Sequence, residues 1–210
     1  MNRGILTVIS GFSGAGKGTL MKRLLEEYDQ YALSISVTTR KPRQGEEEGI
    51  SYFFRTEEEF DRMVKEDAFL EYARYVDHSY GTPKAYVESQ LNKGKDVLLE
   101  IEIQGALQVK KKCPDALLLF VTPPNAEELE RRLKGRGTET ADVIEGRMRR
   151  AIEESEGMSQ YDFLLVNDDL ETCVHEMHET IQTWHRKSSN QKLLMETIQK
   201  DLKNRKEIRL

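Results

Sequence analysis

Gly11-Phe-Ser-Gly14-Ala-Gly16-Lys17-Gly18-Thr19 follows directly on the apolar run Ile5-Leu-Thr-Val-Ile9. The order is a buried strand, a glycine-rich turn, and then the helical pattern Thr19–Glu27. Glycines let backbone N–H groups wrap closely around phosphate oxygens, and a helix N-terminus adds a favourable dipole. Lys17 supplies a cation. Gly11, Gly16 and Lys17 have the spacing of a phosphate-binding P-loop. Ser13, Gly14, Ala15, Gly18 and Thr19 complete the expected phosphate cradle.

Working outward, the chain of 210 residues can bury one good core with small inserted lobes. Its 38% hydrophobic and 33% charged residues fit a soluble domain, and its net charge of −5 argues against nucleic acid as the main partner. No apolar run approaches the ~18 residues of a membrane span, and no signal-peptide pattern is present. Cys113 and Cys173 do not make a disulfide framework and read as reduced thiols in a cytoplasmic protein.

Apolar runs alternate with helical patterns. Strands are expected at Ile5–Ile9, Val97–Ile101, Leu117–Thr122 and Phe163–Val166. Helices are expected at Thr19–Glu27, Glu57–Lys65, Pro83–Asn92, Ala106–Lys112, Ala126–Leu133, Ala141–Glu156 and Leu170–Lys187. That alternation predicts an α/β fold, a parallel sheet with helices on both faces. The aromatic-rich stretch 36–82 breaks the alternation and reads as a small α+β insert. The Arg-rich helical stretch 125–157 reads as a lid. Segments 1–35, 83–124 and 158–187 make the core, and 188–210 forms a tail.

A second constellation is Thr38-Thr39-Arg40-Lys41-Pro42-Arg43-Gln44-Gly45-Glu46. Pro42 fixes its own φ and biases Lys41 toward extended geometry. Arg40 and Arg43 are thereby held on a stiff segment, and two guanidiniums close together suit a phosphate dianion. Beside a P-loop, a second phosphate site is what a phosphoryl acceptor requires.

These motifs, with Tyr80-Gly81-Thr82, Gln104-Gly105 and Gly135-Arg-Gly-Thr138, occur in the order seen in guanylate kinases, which the chain resembles from about Gly4 to Trp184. The resemblance implies an ATP-dependent kinase of GMP with a P-loop core, a GMP-binding lobe and a lid. It implies that Arg40, Arg43, Tyr52 and Tyr80 hold the GMP phosphate. It further implies that Ser36, Glu71, Thr82 and Glu102 face guanine, with Gly81 beside them. Mg²⁺ is expected to enter with ATP. Gly18 stands where a hydroxyl usually follows the lysine, and Thr19, one place later, is the expected metal-side hydroxyl. Phe12 replaces a proline common in the family and is expected to change loop packing rather than chemistry. ATP and GMP are the implied partners, with dGMP left open, and the protein is expected to be a monomer or a homodimer. Two alternatives are another small-molecule P-loop kinase and a non-catalytic guanylate-kinase-like interaction domain.

The base-reading expectation has a physical basis. Guanine presents N1–H and an N2 amino group, and a carboxylate accepts both, whereas adenine cannot offer that pair. Glu71 lies in the aromatic-rich Phe69-Leu-Glu-Tyr-Ala-Arg-Tyr75. Glu100 and Glu102, two apart in Leu98-Leu-Glu-Ile-Glu-Ile103, are expected on one face of a strand at its C-terminal end. Glu102 is open between base and metal shell, and Glu100 between base and the waters of Mg²⁺.

Arg132, Arg136 and Arg147 are the lid candidates for the charge developing in phosphoryl transfer. Arg131, Lys134, Arg149 and Arg150 read as solvated helix charges. Asn167-Asp168 is open between an adenine-side turn and a helix cap. His175 and His178 are three apart rather than four and read as surface histidines, not zinc ligands. The tail from Lys187 carries a net charge of +4, against −9 for the remainder. Its Leu194/Ile198/Leu202 stripe predicts an amphipathic helix lying on its own core, on a second subunit or on an acidic partner.

Overall fold

The computed structural model describes residues 3–75, 77–135 and 140–207. Its centre is strand β1 (Leu6–Gly11), followed by helix α1 (Lys17–Glu27) and strand β2 (Tyr31–Leu33). A small lobe comes next: β3 (Val37–Thr38), β4 (Phe53–Phe54), α2 (Glu57–Lys65), β5 (Phe69–Tyr75) and β6 (His78–Pro83). The chain then returns to the centre with α3 (Lys84–Asn92), β7 (Asp96–Glu100), α4 (Ile103–Lys112) and β8 (Leu117–Thr122). The helices α5 (Ala126–Gly135) and α6 (Ala141–Ser155) precede β9 (Phe163–Val166), α7 (Leu170–His185) and α8 (Lys192–Glu207).

The main sheet has the order β2-β7-β1-β8-β9. Every pairing in it is parallel, with Val8 opposite Leu99 on one side and Leu118 on the other. Parallel strands need crossover helices, which cover both faces and favour continuous apolar runs. Leu117–Val121 is such a run, and each of its residues is fully buried. The expected strands and helices of the core are found, with ends shifted by a few residues. β2 was not expected, since three residues carry too little pattern.

The lobe forms its own sheet, β4-β3-β6-β5, antiparallel except between β3 and β4. Val37, Phe60 and Phe69 make its core. A Cβ on Gly81 would lie 2.8 Å from the Phe69 ring, so this glycine makes room for the core aromatic. Thr56 and Glu59 form a reciprocal capping box at the start of α2. Helix α4 packs against both β1 and β5 and so couples the two sheets.

Three sequence expectations are corrected. Strand β7 ends at Glu100, and Glu102 is the residue at the N-cap of α4, so the two carboxylates do not share a strand face. The alternation Leu-Leu-Glu-Ile-Glu-Ile hides that turn. His178 is half-buried rather than a plain surface residue: its ring stacks on Tyr28 at 3.8 Å and its Nδ1 lies 2.7 Å from the Tyr31 hydroxyl. Helix α8 forms, but its stripe does not lie on its own core, since Leu194, Ile198 and Leu202 are 54%, 50% and 60% exposed. No described helix is long and apolar enough to cross a membrane.

Candidate active site

The turn after β1 is closed by Ala15 N–H donating to the Phe12 carbonyl at 3.1 Å. Gly16 stands at the N-cap of α1 with φ of 88°, a left-handed conformation that side chains strain. A Cβ there would meet the Asn167 amide at 2.5 Å. The helix start has no side-chain cap and no acidic residue in its first turn. A helix start of this kind favours a nearby anion. Lys17 Nζ donates to the Gly11 and Phe12 carbonyls at 2.8 and 3.1 Å, folding the ammonium along the loop. The Phe12 ring is buried edge-on against Phe120 at 5.0 Å. Gly18 faces open space, and Thr19 is exposed on the first turn of α1.

Glu100 ends β7 near this loop. It reaches solvent, yet crowding by the surrounding protein raises its carboxyl above the ordinary range, with Lys17 pulling the other way. Ser10 Oγ donates to the Ile101 carbonyl at 2.7 Å and ties the ends of β1 and β7 together.

In the lobe, Glu71 on β5 and Thr82 on β6 are brought together. Thr82 Oγ1 donates to Glu71 Oε1 at 2.5 Å, and both residues are buried. Burial raises the Glu71 carboxyl above its ordinary range, while the Thr82 side chain and backbone oppose the rise. Gly105 of α4 presents its Cα side to Glu71, where a Cβ would sit 3.2 Å from Oε2. Ser36 precedes β3, and its carbonyl accepts from Phe53 N–H at 2.9 Å.

Arg40 leaves the end of β3 and lies over the Tyr52 ring, 5.4 Å from its centroid. Tyr52 and Tyr80 meet edge to face at 6.2 Å. Glu46 grips the Arg40 guanidinium at 2.8 and 2.9 Å. Arg43 is exposed on the same turn, its backbone N–H donating to Glu46 at 2.7 Å.

The helical pair α5 and α6 approaches the loop from the other side. Arg147 Nη1 donates to Ser13 Oγ at 2.7 Å, joining α6 to the P-loop across 134 residues of chain. Arg132 is held by Glu128 at 2.7 Å, one helical turn away. Arg136 lies outside the described residues. Arg150 is not merely a solvated helix charge, because it pairs with Glu102 at 2.7 Å and with Glu154 at 3.1 Å. On the β9 side, buried Asn167 donates from Nδ2 to the Ala15 carbonyl at 2.8 Å. The cap of α7 is Asp169, whose carboxylate accepts from Thr172 N–H at 2.9 Å. This corrects the helix-cap reading of Asn167-Asp168.

Sequence reasoning missed Glu46, Glu128 and Arg150 as groups that hold other site residues. Only Glu128 carried a signal, its spacing of four from Arg132 on one helix.

The guanylate kinase family profile matches residues 3–184. Guanylate kinase of Caldanaerobacter subterraneus subsp. tengcongensis is 51% identical over 179 residues, covering 85% of this chain and 87% of that protein. Guanylate kinase of Clostridioides difficile is 47% identical over 203 residues, covering 96% of this chain and 99% of that protein. That alignment reaches beyond Trp184 into the tail, where the motif resemblance stops. The crystal structure of guanylate kinase from Anaplasma phagocytophilum has a TM-score of 0.66 at 31% identity, covering 87% of this chain and 86% of the other.

Proposed function

Because this chain belongs to the guanylate kinase family, we propose that it transfers the γ-phosphoryl group of ATP to GMP, yielding ADP and GDP. The observation that carries the reading is the buried Glu71 carboxylate, held by Thr82 in the lobe that also bears Arg40. An ionised carboxylate in an enclosed site accepts the paired N–H donors of guanine and leaves an adenine unmatched. Ser36, Gly81 and Glu102 complete the proposed base contacts. Arg40, Arg43, Tyr52 and Tyr80 hold the acceptor phosphate. Lobe 36–82, lid 125–157 and the three core segments are the proposed division of labour.

The loop Gly11–Thr19 cradles the ATP phosphates, with Lys17 as the cation at the transferring group. Arg132, Arg136 and Arg147 bring lid charge to the oxygens where negative charge develops. Asn167 supports the adenine side by fixing the loop at Ala15. The donor set suits a phosphate-bound cation rather than a protein-caged one, because among the described residues no cluster of three metal-ligating side chains exists. Thr19 and Glu100 are the groups that would hold Mg²⁺ with the ATP phosphates. The ion supplies charge neutralisation when bound. The protein's own contribution is alignment of the two phosphates and exclusion of water, with no covalent intermediate. Lys17, Arg40 and Arg43 are all present, which favours catalysis over a peptide-binding role.

The test follows the label from [γ-³²P]ATP. The proposal expects it in GDP in step with ADP formation, dependent on GMP. Label released only as inorganic phosphate, or carried to AMP at a comparable rate, contradicts it.

A further inference from the structure

A guanidinium has five N–H donors arranged as two forks: an end-on pair on Nη1 and Nη2, and a side-on pair on Nε and Nη2. In Arg40 the end-on fork is filled. Nη1 donates to Glu46 Oε2 at 2.9 Å and Nη2 to Glu46 Oε1 at 2.8 Å. The second Nη1 hydrogen goes to the Lys41 carbonyl at 2.8 Å. The pair is well enclosed, with the two side chains 12% and 21% exposed. The ring of Tyr52 lies under the guanidinium plane, and the Tyr80 hydroxyl is close enough to support its charge. What the end-on clamp leaves is the side-on fork.

Glu46 has anchors besides the Arg40 guanidinium. Its Oε2 accepts from the Arg43 backbone N–H at 2.7 Å, and its N–H donates to the Arg43 carbonyl at 3.1 Å, closing the turn. The same carboxylate therefore ties the Arg40 guanidinium and the Arg43 backbone to one frame. The Arg40 guanidinium, then the Arg43 backbone, hold its carboxyl down at about 2.

We propose that Glu46 is the positioning residue of the acceptor site. It fixes Arg40 end-on, so that the side-on fork, with Arg43 and the hydroxyls of Tyr52 and Tyr80, is preset for a phosphate monoester dianion. This deepens the reading of the lobe as a GMP site and rests on it. Holding one fork in advance reduces the side-chain entropy lost when phosphate binds. The geometry also poses the opposite possibility, a carboxylate that competes with phosphate for Arg40. The anchoring of Glu46 on Arg43 argues for support rather than competition.

The experiment measures equilibrium binding of GMP and of guanosine to the wild type, Glu46→Gln and Glu46→Asp, with steady-state KM values for GMP and ATP. Glu46→Gln keeps one acceptor, removes the charge and aims an amide donor at Arg40. The expected result is about a tenfold loss in GMP affinity, unchanged guanosine binding, and an ATP KM within about twofold, below 1 kcal/mol of discrimination. Glu46→Asp keeps the charge and is expected to recover part of the loss. If the Gln variant does not fold, the Asp variant alone is read, with GMP weakened and guanosine unchanged.

Unchanged GMP affinity in the folded variants overturns the proposal. Tighter GMP binding also overturns it, because it identifies Glu46 as a competitor. Equal weakening of GMP and guanosine overturns it too, as general collapse of the lobe. A wild type that does not phosphorylate GMP refutes the function instead. An active wild type with indifferent Glu46 variants refutes only this inference.

Discussion

Replacing Glu71 with Gln should damage catalysis and strengthen the empty protein at the same time. In the wild type the carboxylate is buried, 6% exposed, with Thr82 donating to one oxygen at 2.5 Å. The amide can keep that acceptor on its oxygen. It then turns an NH₂ group toward guanine, where two donors already point. One charge-assisted pair is lost and donors face donors, which costs about 1.5–3 kcal/mol, or about 10- to 150-fold in kcat/KM for GMP. AMP gains nothing from the carboxylate, so the GMP-to-AMP ratio should narrow by a similar factor.

Stability moves the other way. Burial raises the Glu71 carboxyl in the folded state. The fold therefore binds the proton more tightly than the unfolded chain, and stability contributed by this group is lost as pH rises through the raised value. At neutral pH Gln removes a buried charge, so the variant should melt above the wild type, and the gap should close at acidic pH. Conversely, GMP kcat/KM of the wild type should fall as pH drops through the Glu71 value, and this limb should vanish in the variant. The assays are initial rates with GMP and AMP and calorimetric melting in the absence of nucleotide. An unchanged GMP-to-AMP ratio would place base selection elsewhere.

Four further outcomes are expected. Lys17→Ala should fold normally and lose most turnover; a rate within about threefold of wild type, under 1 kcal/mol of barrier, contradicts the P-loop assignment. Arg40→Ala and Arg43→Ala should each raise the GMP KM far more than the ATP KM in steady-state assays, and equal effects on both contradict the acceptor-phosphate role. Asn167→Ala leaves the Ala15 carbonyl without its 2.8 Å donor and should cost about 1–3 kcal/mol in denaturant unfolding, with a raised ATP KM and little change for GMP. Deleting Ser188–Leu210 should leave kcat within about threefold, a barrier change below 1 kcal/mol, because α8 exposes its stripe and carries no proposed site residue. A folded, inactive truncation with its assembly state unchanged by light scattering would put the tail in the active site.

The core was legible in the sequence where burial is complete on both faces. Leu117–Thr122 can hardly be anything but an inner strand, and it pairs on both sides. The phosphate loop was legible because its glycines and lysine are local in sequence. The lobe was legible as a change of texture but not as a sheet, because β3 and β4 have two residues each and draw their partners from distant chain. Glu102 was misplaced because alternation continues past the end of β7, and Ile103 starts a helix with no capping side chain before it. Contacts such as Arg147 to Ser13 and Asn167 to Ala15 join residues 134 and 152 apart in the chain. No periodicity encodes them. The period of α8 was readable, whereas the surface it would cover is a matter of tertiary packing, and the helix does not take its own core. In the acceptor turn, Arg40 and Arg43 announced themselves by type, while Glu46 gained meaning only when its carboxylate was seen to span both.

In the proposed division of labour, one lobe selects a guanine monophosphate for phosphorylation at the P-loop. That selection is tested most directly by steady-state kcat/KM for GMP, dGMP, AMP, CMP and UMP, each as acceptor with saturating ATP and Mg²⁺. GMP is expected to exceed AMP, CMP and UMP by at least about 100-fold, well within what a site that hydrogen-bonds its substrate can reach. Comparable rates with AMP or a pyrimidine nucleotide, or no acceptor turnover by a folded enzyme, would contradict it.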